Sequence, residues 1–459
     1  MASGLVPDVE RVLDEVRAVS SLIGLETYLV GGFVRDRLLG RETSKDIDLL
    51  TVSGDGRQLL EQVAHRLGWS RPQTFDRFGT AQIRHGSLII ETVRARSESY
   101  DPASRKPDVS PGTLEEDIWR RDFTVNALCQ TLDGRVIDVT GMGLHDLRAG
   151  VLRTPLPPGE TFREDPLRMF RAARFSAQLG FSLTDGILEA MRSQASRAGI
   201  LSVERISDEL RRLLTSPRPR AGVEVLRMGN LLDMVLPEVT AMIGVEQSGY
   251  HIHDVYDHTT HALDHSPADL ITRTAVLLHD VGKPSTHALA EDGRHTFHGH
   301  DVAGAAITER ILARLRYSNE EIEAVSRLVR LHLRPIAYNA QTFGDSAVRR
   351  LIREAGEQRN RLLDLARADT RASSYPDLAN IDALAGRMRE LDNEGDISRL
   401  TASLSGEEIM AMGGLPPGPW VGRVKRAIEE AILDGEIPAG DAPAARRWLE
   451  GHRHLLTPA

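Results

Sequence analysis

The stretch LVGGFVRDRLLGR at residues 29–41, followed by KDIDL at 45–49, predicts a strand, a glycine turn and a second strand near the start of the chain. Asp46 and Asp48 lie two residues apart in the second strand, so their side chains point to the same face. Two carboxylates this close repel each other unless a cation lies between them, and Mg²⁺ commonly binds one or two carboxylates together with substrate phosphates. We therefore expect a Mg²⁺ site at these residues. The alternative is a solvated turn, the usual setting of an isolated Asp-x-Asp.

The residues around this pair favour a phosphate ligand. Gly31 and Gly32 let backbone amides approach a phosphate closely, and the guanidinium of Arg35 could bind the same phosphate. Glu91 follows the apolar run 88–90, which predicts a further strand. Three carboxylates on adjacent strands can hold two metal ions, one for the attacking hydroxyl and one for a leaving pyrophosphate. The alternative for Glu91 is a surface position on an edge strand.

A basic pair, Arg120 and Arg121, opens the stretch RRDFTVNAL at residues 120–128. The apolar residues that follow predict a helix-like run with Asn126 inside it. Next to a triphosphate site such a pair would bind phosphate oxygens. In isolation it would be a surface patch.

The stretch REDPLRMFRAAR at residues 163–174 predicts a helix with Pro166 in its first turn. Its polar residues recur every third position and lie along one side: Asp165, Arg168, Arg171 and Arg174. A carboxylate acceptor beside a guanidinium donor can present a hydrogen-bonding edge to a nucleobase, and the later arginines could reach phosphates. The alternative is a salt-bridged face exposed to solvent.

A second group of polar residues lies in the helical part of the chain. Its members are histidines and carboxylates: His258, His279, Asp280, His300, His332 and Asp369. Imidazole and carboxylate ligands suit Mn, Fe, Ni, Co or Zn. The sequence therefore predicts a transition-metal site here, and the alternative is a degenerate site kept as scaffold.

Composition limits the class of protein. The 459 residues are too many for a single core, and the 41% hydrophobic and 27% charged residues are typical of a soluble globular chain. One cysteine, Cys129, excludes an internal disulfide and fits a cytoplasmic setting. No long apolar run or signal-peptide pattern is found, so we expect no membrane partner. The net charge of −9 argues weakly against nucleic acid, yet residues 151–230 carry 13 arginines and nine acidic residues, a net of +4.

In their order along the chain, these motifs resemble the class II tRNA nucleotidyltransferases, which include CCA-adding enzymes and bacterial poly(A) polymerases. The resemblance implies an α+β chain with four parts, a nucleotidyltransferase head of the polymerase-β type (1–150), a neck (151–230), an HD-type body (231–372) and a tRNA-binding tail (373–459). The head would hold a five-stranded mixed sheet, and the remainder would be all-helical.

The same resemblance implies roles for individual residues. Asp46 and Asp48 would hold catalytic Mg²⁺, and Glu91 takes the position of the family's acidic strand residue. Gly32, Arg35 and Arg121 would bind the triphosphate. The base of CTP or ATP would be read by Asp165 and Arg168, with Arg171 and Arg174 nearby. In the body, the six histidines and carboxylates resemble the HD phosphohydrolase pattern.

The activity implied is template-independent addition of CCA, or of its terminal A, to the 3′ end of tRNA. Residues 97–114 match the full-length loop of A-incorporating members, which leaves complete CCA addition and A-only addition both open. The HD pattern implies a secondary phosphohydrolase activity. Two other interpretations remain: an HD-type phosphohydrolase whose head binds RNA, and a poly(A) polymerase. We expect tRNA, CTP and ATP as partners and no DNA.

Overall fold

A computed structural model describes residues 9–41, 45–75, 80–99, 108–247, 253–374, 376–393 and 402–457. The chain divides into two compact units, Met1–Val235 and Leu236–Ala459. The finer division into head, neck, body and tail stays a prediction. Among the described residues, every helix is too short or too polar to span a lipid bilayer.

The strands of the first unit form one large sheet and two short pairs. They are β1 Thr27–Val30, β2 Asp46–Thr51, β3 Gln73–Phe75, β4 Thr80–His85, β5 Leu88–Arg94, β6 Arg96–Ser99, β7 Asp108–Pro111, β8 Cys129–Thr131, β9 Val136–Ile137, β10 Val151–Leu152 and β11 Ser182–Leu183. The large sheet has the order β3-β4-β5-β2-β1-β8-β9, and β6 pairs with β7 and β10 with β11. In the described residues the sheet therefore has seven strands, not the five that were expected.

The helices of the first unit surround this sheet and continue beyond it. They are α1 Val9–Ile23, α2 Gly31–Leu38, α3 Gly56–Leu67, α4 Leu114–Trp119, α5 Gly143–Ala149, α6 Pro158–Glu164, α7 Leu167–Leu179, α8 Ile187–Gln194, α9 Val203–Leu214, α10 Pro219–Met228 and α11 Leu232–Val235. Apolar residues at helical spacing predict helices at 9–23 and 203–214 from the sequence alone, and both are confirmed. The prediction of a neck without strands is wrong, because β10 and β11 form a short parallel pair.

The expected helix-like run in residues 120–128 is also wrong. Only one 3-10 turn forms there, Thr124–Asn126, and the chain then enters β8. Phe123 and Leu128 are fully buried on either side of the turn. Their side chains are held by tertiary packing, which overrides the local helical pattern.

The second unit is built mainly of helices. They are α12 Pro237–Thr240, α13 Val255–Asp264, α14 Leu270–Leu278, α15 Lys283–Thr286, α16 His300–Arg314, α17 Asn319–Leu331, α18 Leu333–Ile336, α19 Asp345–Ala355, α20 Arg359–Arg371, α21 Ala379–Asn393, α22 Gly406–Gly413, α23 Pro419–Leu433 and α24 Ala442–Gly451. A small hairpin joins β12 Ala288–Leu289 to β13 His295–Thr296. Short 3-10 turns occur at Gly356–Gln358 and Arg453–Leu456.

Side-chain alternation fixes the orientation of the central strand β5. Leu88, Ile90 and Thr92 are buried, whereas Ile89 and Glu91 on the other face are only partly buried. Because a slip of one residue would exchange the two faces, this pattern sets the register of β5 against its neighbours. The face that carries Glu91 is therefore the face available for chemistry.

The alternation makes a testable prediction for stability. Ile90→Ala removes a fully buried side chain and should lower the free energy of unfolding by about 2–5 kcal/mol. Ile89→Ala, the matched control in the same strand, should cost clearly less because Ile89 is already partly exposed. Chemical denaturation of both variants measures the difference, and equal losses would contradict the assigned faces.

Candidate active site and metal centre

The carboxylates of the head meet at the pairing of β2 with β5. These strands are parallel, and the register places Asp48 opposite Glu91 and Asp46 opposite Ile89. Asp46 is exposed at the start of β2, whereas Asp48 and Glu91 are partly buried. The structure thus brings Asp48 and Glu91 side by side, with Asp46 on the same face of the same strand.

The charge of this cluster is visible in the pKa of Asp48. Burial raises that pKa to about 6, and the neighbouring charges of Glu91 and Asp46 act in the same direction. The positive charges of Arg121 and Arg171 oppose the rise without cancelling it. A cation bound between the carboxylates would remove this strain, because an opposite charge favours the ionised form. The donor set therefore fits a hard divalent cation.

The glycine turn lies directly against Asp48. Gly31 has a φ of +69°, and a Cβ placed on it would lie 3.1 Å from Oδ2 of Asp48 and 3.6 Å from Nη1 of Arg121. Gly31 is therefore required both by its backbone conformation and by the close approach of the carboxylate. Gly32 is the second residue of α2, where a Cβ would make an ordinary contact 3.5 Å from Nη2 of Arg35.

Arg121 is the basic residue that faces this turn. Its Nε and Nη2 both donate to Oδ2 of Asp117, at 3.2 and 2.9 Å, and Nη1 donates to the carbonyl of Asn126 at 3.4 Å. Asp117 is fully buried in α4 and also forms an ion pair with Arg120. Sequence reasoning missed Asp117. Its only local sign was a position three and four residues before the arginine pair.

Arg35 is held within the buried framework of the first unit. Its side chain is 4% exposed, and Nε and Nη2 each donate to the carboxylate of Asp36 at 2.8 Å. Its remaining terminal nitrogen, Nη1, donates to Oδ1 of Asn126 at 2.6 Å. That Arg35 binds a phosphate stays a prediction.

Asp165 and Arg168 lie at the start of α7 but differ in accessibility. Oδ1 of Asp165 accepts from the backbone N–H of Leu167 at 3.0 Å, and Oδ2 lies 3.4 Å from Nη2 of Arg205. Arg168 is buried, and its guanidinium donates to the side chain of Glu164 at 2.8 Å and to the carbonyls of Thr161 and Arg120. The carboxylate is thus the more available member of the pair.

Arg171 and Arg174 follow on α7 and surround one aromatic ring. Nε of Arg171 donates to Oδ2 of Asp122 at 2.7 Å, and Arg174 forms a buried ion pair with Glu209. Their guanidinium carbons lie 5.6 and 3.9 Å from the centroid of the Phe175 ring. Arg174 is 8% exposed and Arg171 is 37% exposed, so the alternative of a solvent-exposed face does not hold at Arg174. Both arginines connect α7 to its neighbours.

The second unit gathers the six predicted histidines and carboxylates into two groups. His258, His279 and Asp369 form one group, and Asp280, His300 and His332 form the other; all six side chains are largely buried. Nε2 of His258 lies 2.8 Å from Oδ1 of Asp369. Asp280 connects the groups, with Oδ2 at 3.2 Å from Nε2 of His279 and Oδ1 at 3.4 Å from Nε2 of His300.

Backbone carbonyls define the tautomer of three of these histidines. Nδ1 of His279 lies 2.8 Å from the carbonyl of Val276, and His300 and His332 make the same contact with residues 297 and 329 at 2.7 and 2.6 Å. A carbonyl can only accept, so each Nδ1 carries the proton and each Nε2 presents a lone pair in the neutral ring. This is the arrangement of a histidine that ligates through Nε2.

The spacing of the lone pairs tests whether a metal fits. Nε2 of His300 and Nε2 of His332 are 3.3 Å apart. Burial lowers the pKa of both rings, that of His332 to about 4, so both are neutral at pH 7. Two facing lone pairs repel each other, and a cation between them converts the repulsion into ligation. The residues present therefore fit a metal with nitrogen and oxygen ligands.

His279 has the opposite electrostatic environment. Burial lowers its pKa, but the negative charges of Asp280 and Asp369 outweigh that effect and raise the pKa to about 9. A proton therefore occupies this site when no cation does, and metal binding would release it. Lys283, which sequence reasoning did not select, lies 2.7 Å from Oδ2 of Asp280.

A cavity of about 810 Å³ opens onto the second histidine group. Asp280, His300, His332 and Asp369 contribute to its wall. Asn380 also lines the cavity. A cavity of this size accommodates a ligand as large as a nucleotide, so the candidate metal site is accessible to a small substrate.

Known domain families match the chain in three places. The Poly A polymerase head domain matches residues 27–153, the probable RNA and SrmB-binding site of polymerase A matches 180–243, and the HD domain matches 242–373. The A-adding tRNA nucleotidyltransferase of Deinococcus radiodurans is 38% identical over 357 residues, which is 74% of this chain and 80% of the relative. The CC-adding tRNA nucleotidyltransferase of Thermus thermophilus is 34% identical over 435 residues, which is 92% of this chain and 93% of the relative.

A solved structure has the same fold. The Bacillus stearothermophilus CCA-adding enzyme, crystallised in complex with CTP, superposes with a TM-score of 0.68 at 24% sequence identity, over 98% of each chain. At this identity the likeness establishes the fold alone. The α+β class, with a small sheet followed by helices, is confirmed.

The glycine turn gives a second testable prediction. Gly31→Ala must adopt a left-handed φ and approach Asp48, so it should lower the free energy of unfolding by about 1–2 kcal/mol. Gly32→Ala, one residue on, lies in helical backbone where the added Cβ makes only an ordinary contact with Arg35, and it should be close to neutral. Denaturation midpoints compare the two variants, and equal midpoints would rule out the special conformation of Gly31.

Proposed function

The chain belongs to the class II tRNA nucleotidyltransferase family with an HD domain, and on this premise we propose that it adds nucleotides to the 3′ end of tRNA. CTP and ATP are the proposed substrates. The observation that supports this best is the position of Asp48, opposite Glu91 and in contact with the Gly31 turn. Nucleotidyl transfer needs carboxylates that hold metal ions beside a backbone turn that a phosphate can approach closely. Asp48, Glu91 and the Gly31 turn meet this need.

Asp46 and Asp48, with Glu91 beside them, are the proposed ligands of Mg²⁺. When bound, the ions supply charge neutralisation at the triphosphate and lower the pKa of the attacking hydroxyl. The terminal ribose hydroxyl of the tRNA forms a new bond to the α-phosphate, and the bond to pyrophosphate breaks. Gly31 allows the close approach of the triphosphate, and Arg121 donates to its oxygens.

Base selection is proposed for Asp165 and Arg168 on α7. Asp165 offers a carboxylate that can accept from the exocyclic amine of cytosine or adenine. Arg168 donates to three protein acceptors through Nη1 and Nη2, and a base would be read by another of its five N–H groups. The positive neck, with Arg171 and Arg174, is the proposed meeting place of nucleotide and tRNA end.

We propose either complete CCA addition or addition of the terminal A. The A-incorporating pattern of residues 97–114 favours both over CC-only addition, although residues 100–107 lie outside the described part of the chain. Two tRNA substrates separate the alternatives, one that lacks CCA and one that ends in CC. Extension of only the second, with ATP, identifies an A-only enzyme, whereas unlimited AMP addition to generic RNA would identify a poly(A) polymerase.

The catalytic assignment gives a third prediction. Asp48→Asn keeps the shape of the side chain but removes its charge, so extension of tRNA with labelled CTP and ATP should fall about hundredfold or more. Asp14→Asn, at a site 68% exposed in α1, is the matched control and should extend normally. Extension by Asp48→Asn at the normal rate would overturn the role of Asp48.

A second activity is proposed for the HD residues, namely metal-dependent hydrolysis of 2′,3′-cyclic phosphates and 2′-nucleotides. The supporting observation is the pair of three-residue groups joined by Asp280. The proposed metal is Mn, Ni, Co, Fe or Zn, since imidazole and carboxylate ligands suit these ions. The alternative in which hydrolysis is the only activity and the head merely binds RNA has no separate support.

The two-group arrangement gives a fourth prediction. The protein should bind up to two transition-metal ions per chain, and His279→Ala should lose at least one of them together with hydrolysis of a cyclic nucleotide. His261→Ala is the matched control, because His261 contacts the carbonyl of Asp257 in its own helix and stacks on His253, and it belongs to neither three-residue group. Elemental analysis after dialysis counts the ions. Unchanged metal content in His279→Ala would exclude this site, and tRNA extension should be retained in both variants.

A further inference from the structure

Two arginines of the first unit contact one buried asparagine, and a third reaches it through Asp122. Nη1 of Arg35 donates to the side-chain oxygen of Asn126 at 2.6 Å. Nη1 of Arg121 donates to the backbone carbonyl of Asn126 at 3.4 Å. The side-chain nitrogen of Asn126 donates to Oδ1 of Asp122 at 3.0 Å, and Oδ2 of Asp122 accepts from Arg171 at 2.7 Å.

This network links two places with different proposed tasks. Arg171 belongs to α7, which carries the proposed base-reading residues. Arg121 faces the Gly31 turn and Asp48. The charges of Arg121 and Arg171 both act on the pKa of Asp48, so both guanidinium groups lie within electrostatic reach of the catalytic carboxylate.

The centre of this network is buried. Arg35, Asp122 and Asn126 are 3, 7 and 5% exposed, whereas the side chains of Arg121 and Arg171 at its two ends are 17 and 37% exposed. A buried polar group is costly to leave without its partner, so a displacement of one member is transmitted to the next. Burial by itself raises the pKa of Asp122, but the charge of Arg171 and the hydrogen bonds from Asn126 and Phe123 hold it below its usual value. Asp122 is therefore an ionised acceptor at neutral pH.

We propose that Asn126 is a positioning residue that couples the choice of nucleotide on α7 to the geometry at Asp48. A correct base, held at the start of α7, keeps Arg171 in its contact with Asp122. Asn126 contacts both Asp122 and Arg121, so it then holds Arg121 in place beside the Gly31 turn. A wrong base that displaces α7 disturbs Arg121 through the same contacts and slows the transfer step. This inference rests on the proposed nucleotidyl transfer.

The coupling is tested by the selectivity between CTP and UTP, expressed as the ratio of their kcat/KM values on a tRNA that accepts C. Asn126→Ala removes the contacts with Arg35 and Asp122, and Asn126→Asp keeps the acceptor for Arg35 but sets a second carboxylate against Asp122. In both variants the CTP/UTP ratio should fall about tenfold or more, and the change in kcat should be larger than the change in KM. If the enzyme proves to be A-only, ATP and GTP on a tRNA ending in CC replace these substrates.

Gln130 supplies the matched control. It lies four residues on, in β8, and its side-chain amide donates to the carbonyl of Gly134 at 2.8 Å, with no part in the arginine network. Gln130→Ala and Gln130→Glu repeat the same chemical changes and should keep the selectivity of the unaltered protein. Thermal unfolding of all four variants is measured in parallel.

The selectivity ratio distinguishes coupling from simple destabilisation. A loss of folded protein lowers both kcat/KM values equally and leaves their ratio unchanged. Arg171→Ala should lower the ratio too, and combining it with Asn126→Ala should add little, because both act through Asp122. Retained selectivity in Asn126→Ala, or additive losses in the double variant, overturns the inference. Failure of the unaltered protein to extend any tRNA overturns the proposed function instead.

Discussion

The parallel pairing of β2 with β5 is the constraint on which the head depends. It holds Asp48 against Glu91, although like charges side by side in a sheet are unfavourable. The buried alternation of Ile47, Leu49 and Ile90 keeps the two strands in register in spite of that repulsion. Packing on one face of the sheet thus maintains on the other face a carboxylate pair whose repulsion a bound cation would relieve. Strain of this kind, supported by the rest of the fold, is typical of a functional site.

The histidine site in the second unit has the opposite balance of charge. Asp280 is buried but has positive or potentially positive groups close by, among them His279 and Lys283, whose charges hold its pKa well below the usual range. The unfavourable contact in this site is instead the one between the Nε2 lone pairs of His300 and His332. Oxygen donors with a raised pKa suit a hard cation, and imidazole nitrogens suit a transition metal. The two sites therefore differ in the cation that each selects.

Local patterns in the sequence predicted much of the fold and little of the long-range geometry. The strand at 27–30 and the helices at 9–23 and 203–214 follow directly from spacing. His258 and Asp369 lie 111 residues apart, and only the resemblance to a family pattern predicted that they meet. The run 120–128 was misread because its apolar residues are buried by tertiary contacts instead of along a helix. The contact of Arg35 with Asn126, 91 residues away, is one that no local pattern in the sequence indicates.

The preference for arginine explains how one side chain can bind a protein carboxylate and a ligand at the same time. Only four of the 57 basic residues are lysines, and the neck arginines Arg168, Arg171 and Arg174 each bind a carboxylate in the structure. A guanidinium has five donors in a rigid plane, so one edge can remain on its protein partner while another meets a ligand. A lysine ammonium carries its three donors on a single nitrogen and lacks this planar fork. Donors already oriented by buried carboxylates need little reorganisation when charge develops at a phosphate, and preorganisation of this kind lowers the barrier to transfer.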